Sequence, residues 1–503
     1  MNPNIYAIFA ERFLRNPAQV CIETETGNAY TYADVESETA KLANLFVSTG
    51  AHTGDRLASQ VEKSAEALFV YLAAVRAGLV YLPLNTAYQR GEMEYFLGDA
   101  QPAIVVCRPQ AEEMITTLAQ ATGCKKVFTL DENTGGTLMH AARNFPATFA
   151  TVQVEETELA AILYTSGTTG RSKGAMLSHK NLASNVRVLH SYWGFKPDDV
   201  LLHTLPIFHI HGLFVAANLN LYNGSKMFFL KKFDSSQAID YIEKSTLFMG
   251  VPTYYVRLLT EAKFDKAICR NMRLFVSGSA PLLQETFESF KQKTGHTILE
   301  RYGMSETGMN TSNPLNAERK GGTVGLPLPG TSLRIADENN VALPASEIGG
   351  IQVKGDNVFS GYWRMPEKTR EEFTDDGYFK TGDVGKVDEQ GYVSIVGRSK
   401  DLVISGGYNV YPKEIEELID AMQGVVESAV IGVPHPDFGE AVTAVVVKKK
   451  DADGLTDASI IQALKKEIAN YKVPKKVFFV EDLPRNAMGK VQKNVLRETY
   501  QSK

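Results

Sequence analysis

Cysteine is scarce in this chain: four residues among 503 (Cys21, Cys107, Cys124 and Cys269), with no Cys-x-x-Cys pair. That scatter argues against a disulfide framework or a zinc knuckle and suits buried thiols in a reducing compartment. Long apolar runs are missing too. No uninterrupted stretch reaches about 18 residues, the length that spans a bilayer. The start, Met1-Asn-Pro-Asn-Ile-Tyr6, lacks the cationic and apolar segments of a secretion signal, so a cytoplasmic location is expected. Basic excess is absent: 53 Lys and Arg face 58 Asp and Glu, a net charge of −5. No nucleic-acid surface and no membrane contact are expected, and the mild acidity favours solubility. Tandem repeats and low-complexity tracts are also missing.

What is present is a globular composition, 44% apolar and 22% charged, in a chain long enough for several domains. Short apolar runs at Ala103–Cys107, Lys126–Leu130, Ala160–Tyr164, Val200–Leu205, Lys226–Leu230 and Arg273–Ser277 read as strands. Amphipathic stretches between them, such as Ser64–Ala77, Asn181–Tyr192 and Leu283–Thr294, read as helices. This alternation predicts an α/β body with a parallel sheet covered on both faces. From Gly321 to about Gly397 frequent glycines break short β-type runs, which predicts a small antiparallel or barrel-like β region. Beyond Arg398-Ser-Lys-Asp401 the pattern changes again. Helices at Glu414–Met422 and Ser459–Tyr471, with strands at Ser428–Val433, Ala441–Lys448 and Lys476–Val480, predict a smaller mobile α+β lid. The expected division is 1–397 for the main domain, 398–401 for a hinge and 402–503 for the lid.

The strongest local signal is Tyr164-Thr-Ser-Gly-Thr-Thr-Gly-Arg-Ser-Lys-Gly174, where an apolar strand runs into glycines, hydroxyls and cations. Glycines let successive backbone N–H groups converge on an anion. Hydroxyls of Thr165, Ser166, Thr168 and Thr169 add donors, and Lys173 adds a compact positive charge. The spacing is not that of a Walker loop, because Gly174 rather than Ser or Thr follows Lys173. A plain polar surface loop is the alternative.

With further blocks in the same order, the chain resembles the adenylate-forming enzymes: acyl-CoA synthetases, firefly luciferase and nonribosomal-peptide adenylation domains. The blocks are Pro206-Ile-Phe-His-Ile-His-Gly212, Glu300-Arg-Tyr-Gly-Met-Ser-Glu-Thr307, Thr381-Gly-Asp383, Gly397-Arg-Ser-Lys-Asp401, Ser405-Gly-Gly-Tyr-Asn-Val-Tyr-Pro412 and Pro484-Arg-Asn-Ala-Met-Gly-Lys490. The resemblance implies ATP, Mg²⁺ and coenzyme A. Thr165, Ser166, Gly167, Thr168, Thr169, Gly170 and Lys173 would hold the β- and γ-phosphates. Tyr302 would stack on adenine, with the Gly278, Ser279, Ala280 and Pro281 backbone along the base edge. Glu300, Arg301, Gly303, Met304 and Ser305 would complete the nucleotide site. Glu306, with Thr165, would hold Mg²⁺, a hard cation that prefers carboxylate oxygen. Thr307 would touch the α-phosphate, and Asp383 would accept from the ribose hydroxyls with help from Arg398.

Lys490 is implied as the catalytic cation that bridges acyl oxygen and α-phosphate while two anions react. Lid rotation about Lys400 would then exchange Lys490 for Ser405, Gly406 and Gly407, past which the pantetheine of CoA would run. Neighbouring Lys493 reads as a solvated charge. Departures from the family pattern are small: Ser172 where proline is common, Ser305 for threonine, Tyr408 for glutamate.

The acid is argued from fewer residues. His209 and His211 have no carboxylate or cysteine beside them in sequence to suggest a metal, and the resemblance makes His209 a gate on the acyl pocket. Arg257 has two readings, an outward arginine paired with Glu261 at i+4 or a guanidinium inside the acyl pocket. Ala160–Met176, Asn218–Tyr222, Met249–Leu259 and Glu300–Pro314 are similar to the malonyl-CoA synthetase branch, where the equivalent arginine reads the second carboxylate. On that reading a buried Arg257, sharing with Ser277 and near Met304, would bind a dicarboxylate by a bidentate fork and reject a monocarboxylate. ATP-dependent ligation of malonate (methylmalonate more slowly) to CoA through an acyl-AMP is the expectation. A short-chain or aryl monocarboxylate ligase and a non-catalytic acyl-nucleotide-binding protein are the alternatives. A monomer or weak homo-oligomer is expected, and no carrier domain follows before Lys503.

Overall fold

The computed structural model describes all residues except Met1, Thr134, 166–171, 406–407, 436–437, 450–451, Asp453, 487–488 and 502–503. Four sheets organise the chain. The first has six strands in the order Lys126–Thr129, Ile104–Cys107, Arg56–Gln60, Val80–Pro83, Leu159–Thr165, Lys173–Ser178. Its strands are parallel except for the last pair, a hairpin whose connection is the Thr165–Lys173 loop. The second has nine strands. Its parallel centre runs Leu299–Met304, Leu274–Ser277, Leu247–Gly250, Val200–His203, Lys226–Phe229, Val20–Thr24, and antiparallel strands close both edges.

Several of these strands are continuous apolar runs of the sequence, and Ile104–Cys107, Leu247–Gly250 and Leu274–Ser277 are buried at every position. Burial on both faces needs helices on both faces. The helix Ala65–Arg76 is buried along its whole length, and even its terminal Arg76 is paired, with Glu36. Side-chain caps start the helices where the strands end: Ser64 accepts from the Ala67 N–H, and Ser178 and Asn181 form a reciprocal capping box. Sites in such sheets collect at the carboxyl ends of the parallel strands. Here those ends bring Thr165, His203, Gly250, Ser277 and Met304 toward one another's connections.

Residues 332–398 form a four-stranded antiparallel sheet, Ser332–Ala336, Gly349–Lys354, Phe379–Val387, Val393–Arg398. Its outer strands do not pair with each other, so of the two expected forms the open sheet is the one present. A five-stranded sheet follows, built on the long hairpin Val425–His435 and Gly439–Lys448, with Lys476–Val480 added in parallel. Helices Pro412–Asp420 and Asp457–Glu467 pack on it. A last helix, Lys493–Tyr500, was not expected from the sequence. Lys493 is correspondingly not a free surface charge: its ammonium lies 2.6 Å from the mostly buried Glu416 carboxylate. No helix among the described residues is long and apolar enough to cross a membrane.

Candidate active site

The hairpin Leu299–Met304 to Gly308–Ser312 carries the Glu300–Thr307 motif into the cleft. Its turn needs glycine at both ends. A Cβ on Gly303 would sit 2.1 Å from the Gly308 carbonyl, and Gly308 has φ +60°. The turn presents Glu306, whose Oε1 accepts from the Tyr362 hydroxyl at 3.1 Å and the Thr165 hydroxyl at 3.3 Å. Thr165 and Glu306, 141 residues apart, therefore meet. A buried carboxylate with a hydroxyl beside it fits Mg²⁺, which takes one or two carboxylates and completes its shell from phosphates and water. No group of three or more His, Cys, Asp or Glu suited to a metal occurs among the described residues. Thr307 is fully buried behind Glu306, and its carbonyl is held by Asn357 at 2.7 Å.

Lys173 opens the strand Lys173–Ser178. Its ammonium lies 3.6 Å from Glu372 and 4.2 Å from the centre of the Tyr362 ring. Tyr362 thus touches both the cation of the loop and the acid of the hairpin; no sequence pattern pointed to it. Ser166, Gly167, Thr168, Thr169 and Gly170 lie outside the described residues, as do Gly406 and Gly407 near the buried Ser405.

Tyr302 is nearly buried, and its hydroxyl donates to Asp383 Oδ2 at 2.5 Å while Arg398 Nε approaches Oδ1 at 2.8 Å. The three form one unit that fixes an anionic acceptor, as a ribose diol requires. Glu300 plays a different part: Oε1 accepts from the Leu282 N–H at 3.1 Å, and Oε2 is buried without a partner. Desolvation raises its carboxyl to about 8. Gly278 and Ser279 lie against Arg301. A Cβ on Gly278 would fall 2.4 Å from the guanidinium carbon, and Ser279 itself is in the left-handed region at φ +74°. That strain holds the segment close under the hairpin. Ala280 and Pro281 continue it toward the helix Gln284–Thr294.

Arg301 is the conspicuous charge. It is 3% exposed, and its Nε and Nη2 have no hydrogen-bond partner. Burial pulls its pKa down to about 9, with Tyr255 and Glu300 opposing. Beside it the Ser277 hydroxyl and His211 Nε2 are also buried and unpartnered. His211 Nδ1 lies 3.2 Å from the Ser279 hydroxyl, and the His211 N–H donates to His209 Nδ1 at 3.3 Å. Desolvation first, then Lys490 and Arg301, hold His209 down at about 3, so it is neutral at working pH.

Arg257 is not buried as expected; it is exposed on the helix Pro252–Thr260. The pairing with Glu261 is also not among the described ion pairs; Glu261 accepts from Ser235 instead. The reason is helical phase: Tyr255 and Leu258 face the core, which turns Arg257 outward. It faces a cavity of about 800 Å³ shared with Phe208, Thr253, Tyr254 and the lid residues Arg485 and Gly489. Met304 is half-buried against the main core near the same hairpin.

Lys490 reaches this cleft from the last loop of the lid. Asn486 accepts from the Lys490 N–H at 3.0 Å, and Arg485 donates to the Gly489 carbonyl at 2.7 Å while pairing with Glu427. Lys490 keeps surface open to the cleft, yet the body crowds it enough for desolvation to lower its ammonium to about 8. Arg398 and Arg301 add to this effect, while Asp383 and Glu306 oppose it. Lys400 is exposed in a single helical turn where the two parts of the chain join.

Two family models match the chain: AMP-binding enzyme over residues 9–363, and AMP-binding enzyme C-terminal domain over 414–490. The chain belongs to the AMP-binding enzymes. Within this family it is 34% identical to a malonate–CoA ligase of Arabidopsis thaliana, over 95% of this chain and 85% of the relative. It is 56% identical to MatB from Rhodopseudomonas palustris, covering 100% of this chain and 99% of that one. Against ATP-bound MatB the TM-score is 0.98, and against apo MatB, at the same identity and coverage, 0.87. At constant sequence identity, this AMP-binding enzyme thus superimposes more closely on the ATP-bound structure than on the apo structure.

Proposed function

We propose that this chain is an AMP-forming acid–thiol ligase that joins malonate to coenzyme A with ATP and Mg²⁺, releasing AMP and pyrophosphate. The malonate–CoA ligase and MatB relatives support the activity. The observation that carries the acid is Arg301: a buried guanidinium with two unpartnered nitrogens, flanked by the unpartnered Ser277 hydroxyl and His211 Nε2. Leaving such donors unsatisfied costs free energy, and an anion in the site offsets that cost with charge-assisted hydrogen bonds. A substrate with a second carboxylate supplies one; acetate or butyrate does not. Arg257 lies on the wall of the open cavity.

The first step follows from the residues present. Tyr302, Asp383 and Arg398 hold the nucleoside. Thr165 and Glu306 would hold Mg²⁺, which would supply neutralisation of phosphate charge. Lys490 then stabilises the charge that builds as the carboxylate oxygen attacks the α-phosphorus. His209, being neutral, borders the acyl group without attracting the carboxylate that must react. For the second step, rotation about Lys400 withdraws Lys490 and brings Ser405 and its neighbours to the carbonyl. Partners are small molecules: ATP, CoA and the dicarboxylate. The test is pyrophosphate release across malonate, methylmalonate, acetate, butyrate and benzoate. Release with malonate and little with monocarboxylates is expected; equal release with butyrate would remove Arg301 from the account.

A further inference from the structure

Lys63 stands in the connection between the strand Arg56–Gln60 and the helix Ala65–Arg76, just before the N-cap Ser64. A cation there opposes the helix dipole, and at 8% exposure water does not repay it. The ammonium is instead directed across the body. It lies 2.9 Å from His203 Nδ1, 3.0 Å from the His203 carbonyl and 4.3 Å over the Phe229 ring. On its other edge, His203 Nε2 lies 2.8 Å from the carbonyl of Gly212.

These contacts fix a tautomer. A carbonyl can only accept, so Nε2 carries the proton; the buried ring is neutral, so Nδ1 accepts from Lys63. Without the lysine, nothing in the pair favours Nε2–H over Nδ1–H except the carbonyl itself.

Gly212 is the second residue of the π-helix His211–Ala217 and closes a tight ring of chain. A Cβ on it would lie 2.0 Å from the Pro206 carbonyl, so any other residue forces the segment open. Inside that ring sits His209, whose carbonyl accepts from the Leu213 N–H at 3.0 Å. Pro206–Phe208, on the outer side of the same ring, lines the 800 Å³ cavity together with Lys63.

We propose that Lys63 and His203 are positioning residues: together they clamp the Gly212 carbonyl and so set the Pro206–Gly212 segment and His209 against the acyl group. The proposal rests on the reading that His209 borders the acid. Lys63 acts through His203 and touches no reacting atom.

The test is a double-substitution cycle in the full chain, read as malonate-dependent pyrophosphate release. Lys63→Met and His203→Phe are each expected to lower kcat/KM for malonate about 10- to 100-fold, with KM for ATP within about twofold. His203→Gln places an amide donor on the Gly212 carbonyl and is expected to keep most of the rate. In that background Lys63→Met should cost little, because no imidazole remains to be set. An equal loss from Lys63→Met in both backgrounds overturns the proposal. Nitrogen NMR of ¹⁵N-histidine-labelled wild type gives an answer that needs no variant to fold: His203 protonated on Nε2 supports the clamp, and Nδ1 protonation refutes it. If wild type released no pyrophosphate with malonate, the functional reading would fail while the tautomer still judged the clamp.

Discussion

Replacing Arg301 with methionine should make the protein more stable and nearly useless with malonate. The guanidinium is buried, lacks partners at Nε and Nη2, and is pulled down from the usual arginine range to about 9. At about 1.4 kcal/mol for each tenfold in proton affinity, that is on the order of 5 kcal/mol of unfavourable charge burial. Exchanging buried charge for an apolar side chain of similar size returns roughly 1–4 kcal/mol in practice. With an unfolding entropy of about 2.1 cal/mol/K per residue, Tm of a body this size should rise about 1–5 °C. A base with a depressed pKa destabilises the fold fully below about 9, and the penalty lifts only as pH rises above that value. The gain from Arg301→Met should therefore be the same at pH 6 and pH 8. Loss of a desolvated bidentate pair should meanwhile lower kcat/KM for malonate about 10²- to 10³-fold. Thermal unfolding without ligand, paired with pyrophosphate release, reads both. A variant that melts lower and turns over malonate within threefold of wild type would show that Arg301 is a structural residue.

Lys490→Ala should lower malonyl-AMP formation about 10²- to 10³-fold yet leave CoA capture from supplied malonyl-AMP within a fewfold; parallel loss of both steps would contradict the two-conformation lid. Because Lys490 is held at about 8 and works as a cation, adenylation should decline as pH rises through about 8, and Lys490→Arg should move that limb upward. His209, held at about 3, should contribute no titration between pH 5 and 8, so His209→Gln should leave the acidic limb of the profile in place. Glu306→Gln should raise the Mg²⁺ concentration needed for half-maximal rate about tenfold; an unchanged requirement would move the ion elsewhere.

Strands such as Ile104–Cys107 and Leu274–Ser277 were legible as continuous apolar runs, and the helices after Ser64 and Ser178 as amphipathic stretches with their own caps; Val20–Thr24, Arg56–Gln60 and Leu299–Met304, with polar or charged residues inside them, were not. The residues expected at the nucleotide stand in ordered blocks, and the fold brings Thr165 to Glu306 and Tyr302 to Asp383. Burial was not legible. Arg301 read as one more nucleotide residue inside its motif, whereas the structure leaves it as the unpaired charge of the site. Arg257 was expected inside, and helical phase turned it to the cavity wall. Tyr362, Lys63 and His203 gave no local signal, since their partners lie tens to more than a hundred residues away. Lys493 looked like an ordinary tail lysine because Glu416, its partner, comes from another helix.

Product analysis of the wild-type protein with ATP, Mg²⁺, CoA and malonate tests the whole account in one measurement. Malonyl-CoA, AMP and pyrophosphate should appear in equal amounts. ADP with orthophosphate, or no thioester at all, would contradict it.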